Sequence, residues 1–291
     1  MFKHHLYHVY RLLTSALLAL AAALPLGSIP AWSLDSGWAE TEGGRMRLVV
    51  DPVVRDDGTI RGILDVALDP GWKTYWRDPG SAGIPPTLDF SQSQGIDFDK
   101  MEYPAPVRVD DGYSVWAGYT APVQFPLTFR RTLSGEARIH AQAFIGICEK
   151  ICVPFQAELT VELPRNQAAG DPDSEAVHAA FAHLPEPAGV DFSIETASLD
   201  LNSKQLDVTA SLPAFRPLNA NAELFVAGPQ GFAFGPPKLV RDTGGVAEWT
   251  VRVDPPAGFG KNSEKMDLDV VITLGQRAIE QRVTVNPGAD K

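Results

Sequence analysis

The chain has 291 residues, enough for two domains of ordinary size. Hydrophobic residues make up 44% of it, which excludes a disordered chain, and the net charge of −11 excludes the basic footprint of a nucleic-acid binder. Two cysteines, Cys148 and Cys152, are the whole cysteine complement.

The first stretch reads as an address. Lys3 and Arg11 stand before an apolar run from Leu12 to Leu26, and Ala31-Trp32-Ser33 places small residues where a signal peptidase reads them. This is the three-part pattern of a secretory signal, with cleavage expected near Ser33. The run is short for a membrane span, and Pro25, Gly27 and Pro30 interrupt it. No later apolar stretch reaches 18 residues, so the processed chain is expected not to span a membrane.

From 34 to 164 the pattern predicts a β-sandwich. Arg45–Val50, Ile60–Leu68, Leu88–Phe90, Met101–Tyr103 and Val123–Arg130 read as strands, the last an edge strand because it holds Pro126. Pro104–Gly112 reads as a loop. Trp72, Tyr75 and Trp76, in a segment dense with aromatics and turn formers, read first as core residues. Residues 165–189 are predicted to form a connector, with a short helix capped by Asp173 or Ser174 and Val177, Phe181 and Leu184 on one face. His178 and His183 fall on its surface. From 190 to 291 the β pattern returns at Leu199–Ala210, Ala222–Val226, Val246–Val253, Leu268–Leu274 and Ile279–Val285, predicting a second sandwich. The fold class is therefore all-β, two sandwiches joined by a short helical connector.

The cysteines carry the chemistry. Four residues of straight strand span about 13 Å, whereas a disulfide needs Cα atoms about 4.4–6.8 Å apart. Apolar alternation runs from Ala137 to Ile147 and again from Phe155 to Val161. The chain is thus expected to turn at Glu149-Lys150-Ile151, with the two cysteines facing each other at a hairpin end. So short a loop yields only about 2 kcal/mol as a staple. That favours a redox pair over a structural disulfide, and the structural disulfide stays open. Thiol exchange needs an attacking thiolate and a second thiol to resolve the mixed disulfide, and the pair supplies both. Glu149 and Lys150 read first as solvated turn residues. The rival chemistry is Cu(I) capture by two soft thiolates. Zinc lacks its third and fourth ligands, and His140 alternates onto the face opposite Ile139. No metal ligand set and no cofactor is predicted. Tyr113, Trp116 and Tyr119, in a Gly-containing stretch, are either packing residues or a cover over the pair.

Gly71-Trp72-Lys73-Thr74-Tyr75-Trp76-Arg77-Asp78-Pro79-Gly80, Gly83-Ile84-Pro85-Pro86, Tyr103-Pro104-Ala105-Pro106 and the run from Cys148 to Pro154 together resemble the N-terminal periplasmic domain family of the thiol:disulfide interchange protein DsbD. The resemblance is stronger still to its ScsB-like, copper-tolerance members, and covers about Arg45 to Leu163. It implies an immunoglobulin-like sandwich in the periplasm whose cysteines cycle between dithiol and disulfide. It implies that Cys152, followed by Val153-Pro154, joins the partner and that Cys148 resolves the mixed disulfide. It implies thioredoxin-fold redox partners, with donor and acceptor on other polypeptides. It also implies a cap loop, here Asp111, Tyr113, Trp116 and Tyr119. The cysteine spacing is shorter than in the best-known DsbD domain, and the second sandwich departs from DsbD in the direction of the ScsB group.

Overall fold

The structure, a computed structural model, describes residues 34–80, 83–112, 114–133, 135–163, 172–216, 220–259 and 265–286. The predicted signal segment and Tyr113 lie outside the described residues. The described residues form one compact unit.

The first sandwich is built from eleven strands: β1 (Ala39–Thr41), β2 (Gly44–Asp51), β3 (Thr59–Leu68), β4 (Lys73–Tyr75), β5 (Thr87–Asp89), β6 (Ile96–Met101), β7 (Val107–Asp110), β8 (Val115–Tyr119), β9 (Val123–Arg131), β10 (Ala137–Cys148) and β11 (Cys152–Leu163). One sheet runs β1-β2-β3-β9-β6, and the other β11-β10-β4-β8-β7 with β5 also on β10. The inward faces supply Leu48, Ile60, Leu64, Phe125, Leu127, Ile139, Ile145 and Val161, all essentially inaccessible to solvent. Alternation of period two puts these residues on one face of each strand, and the mutual burial of the two faces is what holds the sheets together.

Helix α1 (Pro172–Ala182) follows, then β12 (Glu186–Pro187), β13 (Ser193–Asp200), β14 (Gln205–Ser211), β15 (Ala222–Ala227), β16 (Ala233–Phe234), β17 (Lys238–Thr243), β18 (Val246–Asp254), β19 (Met266–Leu274) and β20 (Arg277–Val285). One sheet runs β12-β20-β19-β15 and the other β13-β14-β18-β16, with β17 also paired to β18. Their shared core contains Leu206, Val208, Leu224, Trp249, Val251, Leu268, Val270 and Ile272.

Several expectations need correction. Pro126 is not on an edge: β9 lies between β3 and β6. Its carbonyl accepts from Glu102 N at 2.8 Å, so its nitrogen faces the same side, where β6 has already ended at Met101. The missing N–H therefore costs no ladder bond. The strand placed at Met101–Tyr103 is Ile96–Met101, and the stretch read as a loop contains β7. Leu199–Ala210 is not one strand but the two arms of a hairpin that turns at 201–204, where Lys204 has φ 54°. Ser174 does not cap α1. It lies inside the helix, and its Oγ donates to Asp51 Oδ1 at 3.2 Å while His178 Nε2 sits 3.0 Å from Asp51 Oδ2. With Val177 and Ala180 buried against Val49 and Ile63, the helix is packed onto the first sandwich.

Candidate functional site

β10 and β11 form a long antiparallel hairpin, and Cys148 opposite Cys152 is the final pair of its ladder. Direct cross-strand partners are the closest residues a sheet offers. Their Cα atoms are 4.1 Å apart and the sulfurs are bonded as a disulfide. The three-residue turn is solvent-exposed, with Ile151 at 79%. The two cysteines differ sharply: Cys148 is 1% exposed, whereas Cys152 lies on the exposed side of β11.

What buries Cys148 is β4, which pairs with the end of β10 through Ile147↔Thr74 and Cys148↔Lys73. Thr74 Oγ1 donates to Gly146 O at 2.8 Å and fastens the two strands. The next side chain, Tyr75, is buried and lays its hydroxyl 3.0 Å from Cys148 Sγ and 3.2 Å from Cys152 Sγ. A disulfide sulfur carries no hydrogen, so the phenol is the donor in both contacts. Burial, with the charge of Asp111 adding to it, pushes the Tyr75 phenol above its ordinary pKa. The hydroxyl therefore keeps its proton across the neutral range. Two glycines make room for this ring. A Cβ on Gly83 would meet Tyr75 Cδ1 at 2.8 Å, and one on Gly146 would meet Ile84 Cβ at 2.6 Å and Tyr75 Cδ2 at 3.3 Å.

Beyond Tyr75 stands Trp116 of β8, 2% exposed, edge-on to Tyr75 with ring centroids 5.8 Å apart. Cys148, Tyr75 and Trp116 form a small apolar cluster, with Ile84 and Val109 packed against it. Asp111 ties the cluster's rim. Its Oδ2 accepts from Lys73 Nζ at 3.0 Å and Trp116 Nε1 at 3.3 Å, while Oδ1 accepts from Ser114 N at 2.9 Å. Lys73 Nζ also lies 4.4 Å from the Trp116 ring centroid, a cation–π contact. Of the residues singled out in the sequence, Cys148, Cys152, Asp111 and Trp116 thus share one site. Tyr119 does not join them. It packs in the main core against Phe125, its hydroxyl donates to Pro104 O at 2.9 Å, and burial raises its pKa well above the ordinary value. The stretch expected as a cap loop enters the strand β8 at Val115.

Sequence reasoning missed Tyr75 and Lys73 as site residues. Their signal was the Lys-Thr-Tyr alternation, which puts residues 73 and 75 on one face of a strand. Among the described residues no cluster of three or more His, Cys, Asp or Glu side chains has metal-holding geometry. His140 bonds Thr160 through Nδ1 at 3.0 Å, eight rows down the hairpin from the cysteines. No helix among the described residues is long and apolar enough to cross a membrane.

Residues 47–164 match the family model for the N-terminal domain of the thiol:disulfide interchange protein DsbD. Residues 183–288 match a second family, described as a domain of unknown function. The chain shares its fold with the N-terminal periplasmic domain of ScsB from Proteus mirabilis, at 23% identity and a TM-score of 0.67, over 88% of this chain and 100% of that one. A conserved domain protein from Bacillus anthracis covers 89% of this chain and 93% of its own at 10% identity, with a TM-score of only 0.21. No curated protein matches the chain in sequence.

Proposed function

We propose that this chain, whose residues 47–164 match the DsbD N-terminal domain family, is a periplasmic thiol–disulfide interchange protein that passes reducing equivalents between thioredoxin-fold partners through Cys148 and Cys152. The observation that carries the reading is the inequality of the two sulfurs, one exposed and one sealed under Tyr75 and Trp116.

The steps follow from that inequality. In the dithiol form the Cys152 thiolate attacks a partner's disulfide, forming a mixed disulfide and releasing the partner's first thiolate. Cys148, its cross-strand neighbour, then attacks Cys152 Sγ. The internal disulfide forms, the partner's second thiolate leaves, and two electrons have moved. In the reverse direction an incoming thiolate attacks Cys152, and Cys148 departs as a thiolate. The Tyr75 hydroxyl, within hydrogen-bond reach of both sulfurs, stabilises that developing charge. The Lys73–Asp111–Trp116 contacts hold the turn against the cluster and keep other thiols from Cys148.

The test is transfer from the reduced protein to an oxidised thioredoxin-fold protein, followed by thiol trapping. Cys148→Ser should accumulate a mixed disulfide through Cys152, and Cys152→Ser should form none. Transfer by Cys152→Ser at the parent's rate overturns the reading.

A further inference from the structure

The second sandwich meets residues on or beside the strands that surround Cys148. β15 is buried on both faces. Leu224 and Val226 enter its own core, whereas Phe225 and Ala227, with Val271 of β19, join the core of the first sandwich. The apolar runs Leu224-Phe225-Val226-Ala227 and Val270-Val271-Ile272 are the sequence form of such doubly buried strands.

The contacts are made by the immediate neighbours of the site residues. Next to Tyr75, Trp76 meets Phe225 edge-on with centroids 6.0 Å apart. Arg77 then places its guanidinium 3.3 Å from Asp269 Oδ2 and 2.7 Å from Glu280 Oε1, both on the second sandwich. On β7, Val109 packs on the Cys148 cluster while Arg108 turns the other way, donating to Leu224 O at 2.5 Å and lying 4.5 Å from the Phe225 ring centroid. On β8, Trp116 covers Cys148, and its neighbours Val115 and Ala117 line the cleft toward Phe225 and Val226. Three strands thus alternate one side chain toward the disulfide with the next toward the second sandwich.

We propose that the second sandwich is a brace: by clamping Trp76, Arg77 and Arg108 it fixes β4, β7 and β8, and so sets how tightly Tyr75, Asp111 and Trp116 close over Cys148. Arg77 and Arg108 are positioning residues that act on the sulfurs through their strand neighbours. The proposal rests on the exchange reading above. Its test is independent of any protein partner, because it reads attack by a small thiol.

Dithiothreitol reduces the disulfide, closing to its own cyclic disulfide as Cys148 and Cys152 take up two electrons and two protons. Arg108→Ala loosens the brace from the first sandwich, and Glu280→Ala, an exchange of a partly exposed side chain, loosens it from the second. Both should slow reduction by about threefold to tenfold, the usual reach of coupling through packed contacts, because the reagent enters at the exposed Cys152 and a loosened Tyr75 hydroxyl no longer steadies the departing Cys148 thiolate. Arg108→Lys, which keeps a donor for Leu224 O and a cation over Phe225, should return the rate toward the parent's. Arg277→Ala removes ion pairs to Glu186 and Asp191 within the second sandwich and should leave the rate unchanged. Circular dichroism reports that each variant is folded. Reduction of both folded Arg108→Ala and Glu280→Ala at the parent's rate overturns the brace. A parent that never exchanges with thioredoxin-fold proteins overturns the exchange reading instead.

Discussion

A phenol that touches two sulfurs has different work in each redox state. Against the disulfide, the Tyr75 hydroxyl shares its one proton between the two sulfurs, 3.0 and 3.2 Å away. Against a thiolate the same hydroxyl becomes a charge-assisted donor, worth about 1.5–3 kcal/mol. Cys148 is buried among apolar groups, which by itself disfavours its thiolate. Tyr75→Phe keeps the ring between Gly83, Gly146 and Trp116 and removes only the donor. In a Cys152→Ser background, where Cys148 is the lone thiol, that change should raise the thiolate midpoint by about one to two pH units. Thiolate absorbance in the ultraviolet across a pH titration checks it. An unmoved midpoint would mean that the hydroxyl packs beside Cys148 without stabilising its charge.

At the level of elements, the site depends on how closely β8 approaches β4. A Cβ on Gly118 would stand 2.2 Å from Thr74 O and 2.9 Å from Tyr75 Cα, both backbone atoms that cannot swing aside. Gly118→Ala should therefore push the strands apart and cost about 3 kcal/mol or more of stability, read as a lowered urea midpoint. It should also slow reduction of the disulfide by small thiols, since β4 carries the Tyr75 hydroxyl that steadies the departing Cys148 thiolate. A variant as stable as the parent would show that the strands give way without loss. These strands mark the limit of what the sequence disclosed. The Cys hairpin was legible because Ala137–Ile147 and Phe155–Val161 alternate cleanly and only a turn can bring the two cysteines face to face. β7 and β8 were not, because a Pro-rich approach and the Asp-Asp-Gly turn read as loop, and their pairing with β4 is a long-range contact. Tyr75 was legible as a buried aromatic but not as a partner of the sulfurs. Its role depends on the β4–β10 register, Cys148 opposite Lys73, across more than seventy residues of chain. The hairpin at 201–204 was lost for the opposite reason: apolar residues continue on both sides of a short turn whose Lys204 adopts a left-handed conformation.

For the whole molecule, the junction between sandwiches contains a carboxyl group poorly placed for its charge. Asp78 lines a cleft of about 220 Å³ together with Trp76, Arg108, Phe225 and Asp254. Burial lifts its pKa from the ordinary 3.8 to about 6, against the pull of the Gly80 N–H that it accepts. Between those two values the folded chain holds a proton that the unfolded chain has released. Stability from this group therefore falls as pH rises through that window, and above about 6 the folded state carries a half-buried charge that the Gly80 N–H only partly offsets. Asp78→Asn has no such charge, and its Oδ1 can still accept from Gly80 N. The variant should melt at the same temperature as the parent below about pH 4, melt progressively higher as pH climbs, and keep a constant advantage at neutral pH and above. Thermal midpoints of both proteins across that range decide the matter, and parallel curves would remove Asp78 from the pH response. If the second sandwich braces the site, the same titration reaches the disulfide. Ionising Asp78 weakens the junction at Trp76 and Arg77, so dithiothreitol reduction, corrected for the reagent's own thiolate fraction, should fall as pH rises in the parent and hold steady in Asp78→Asn.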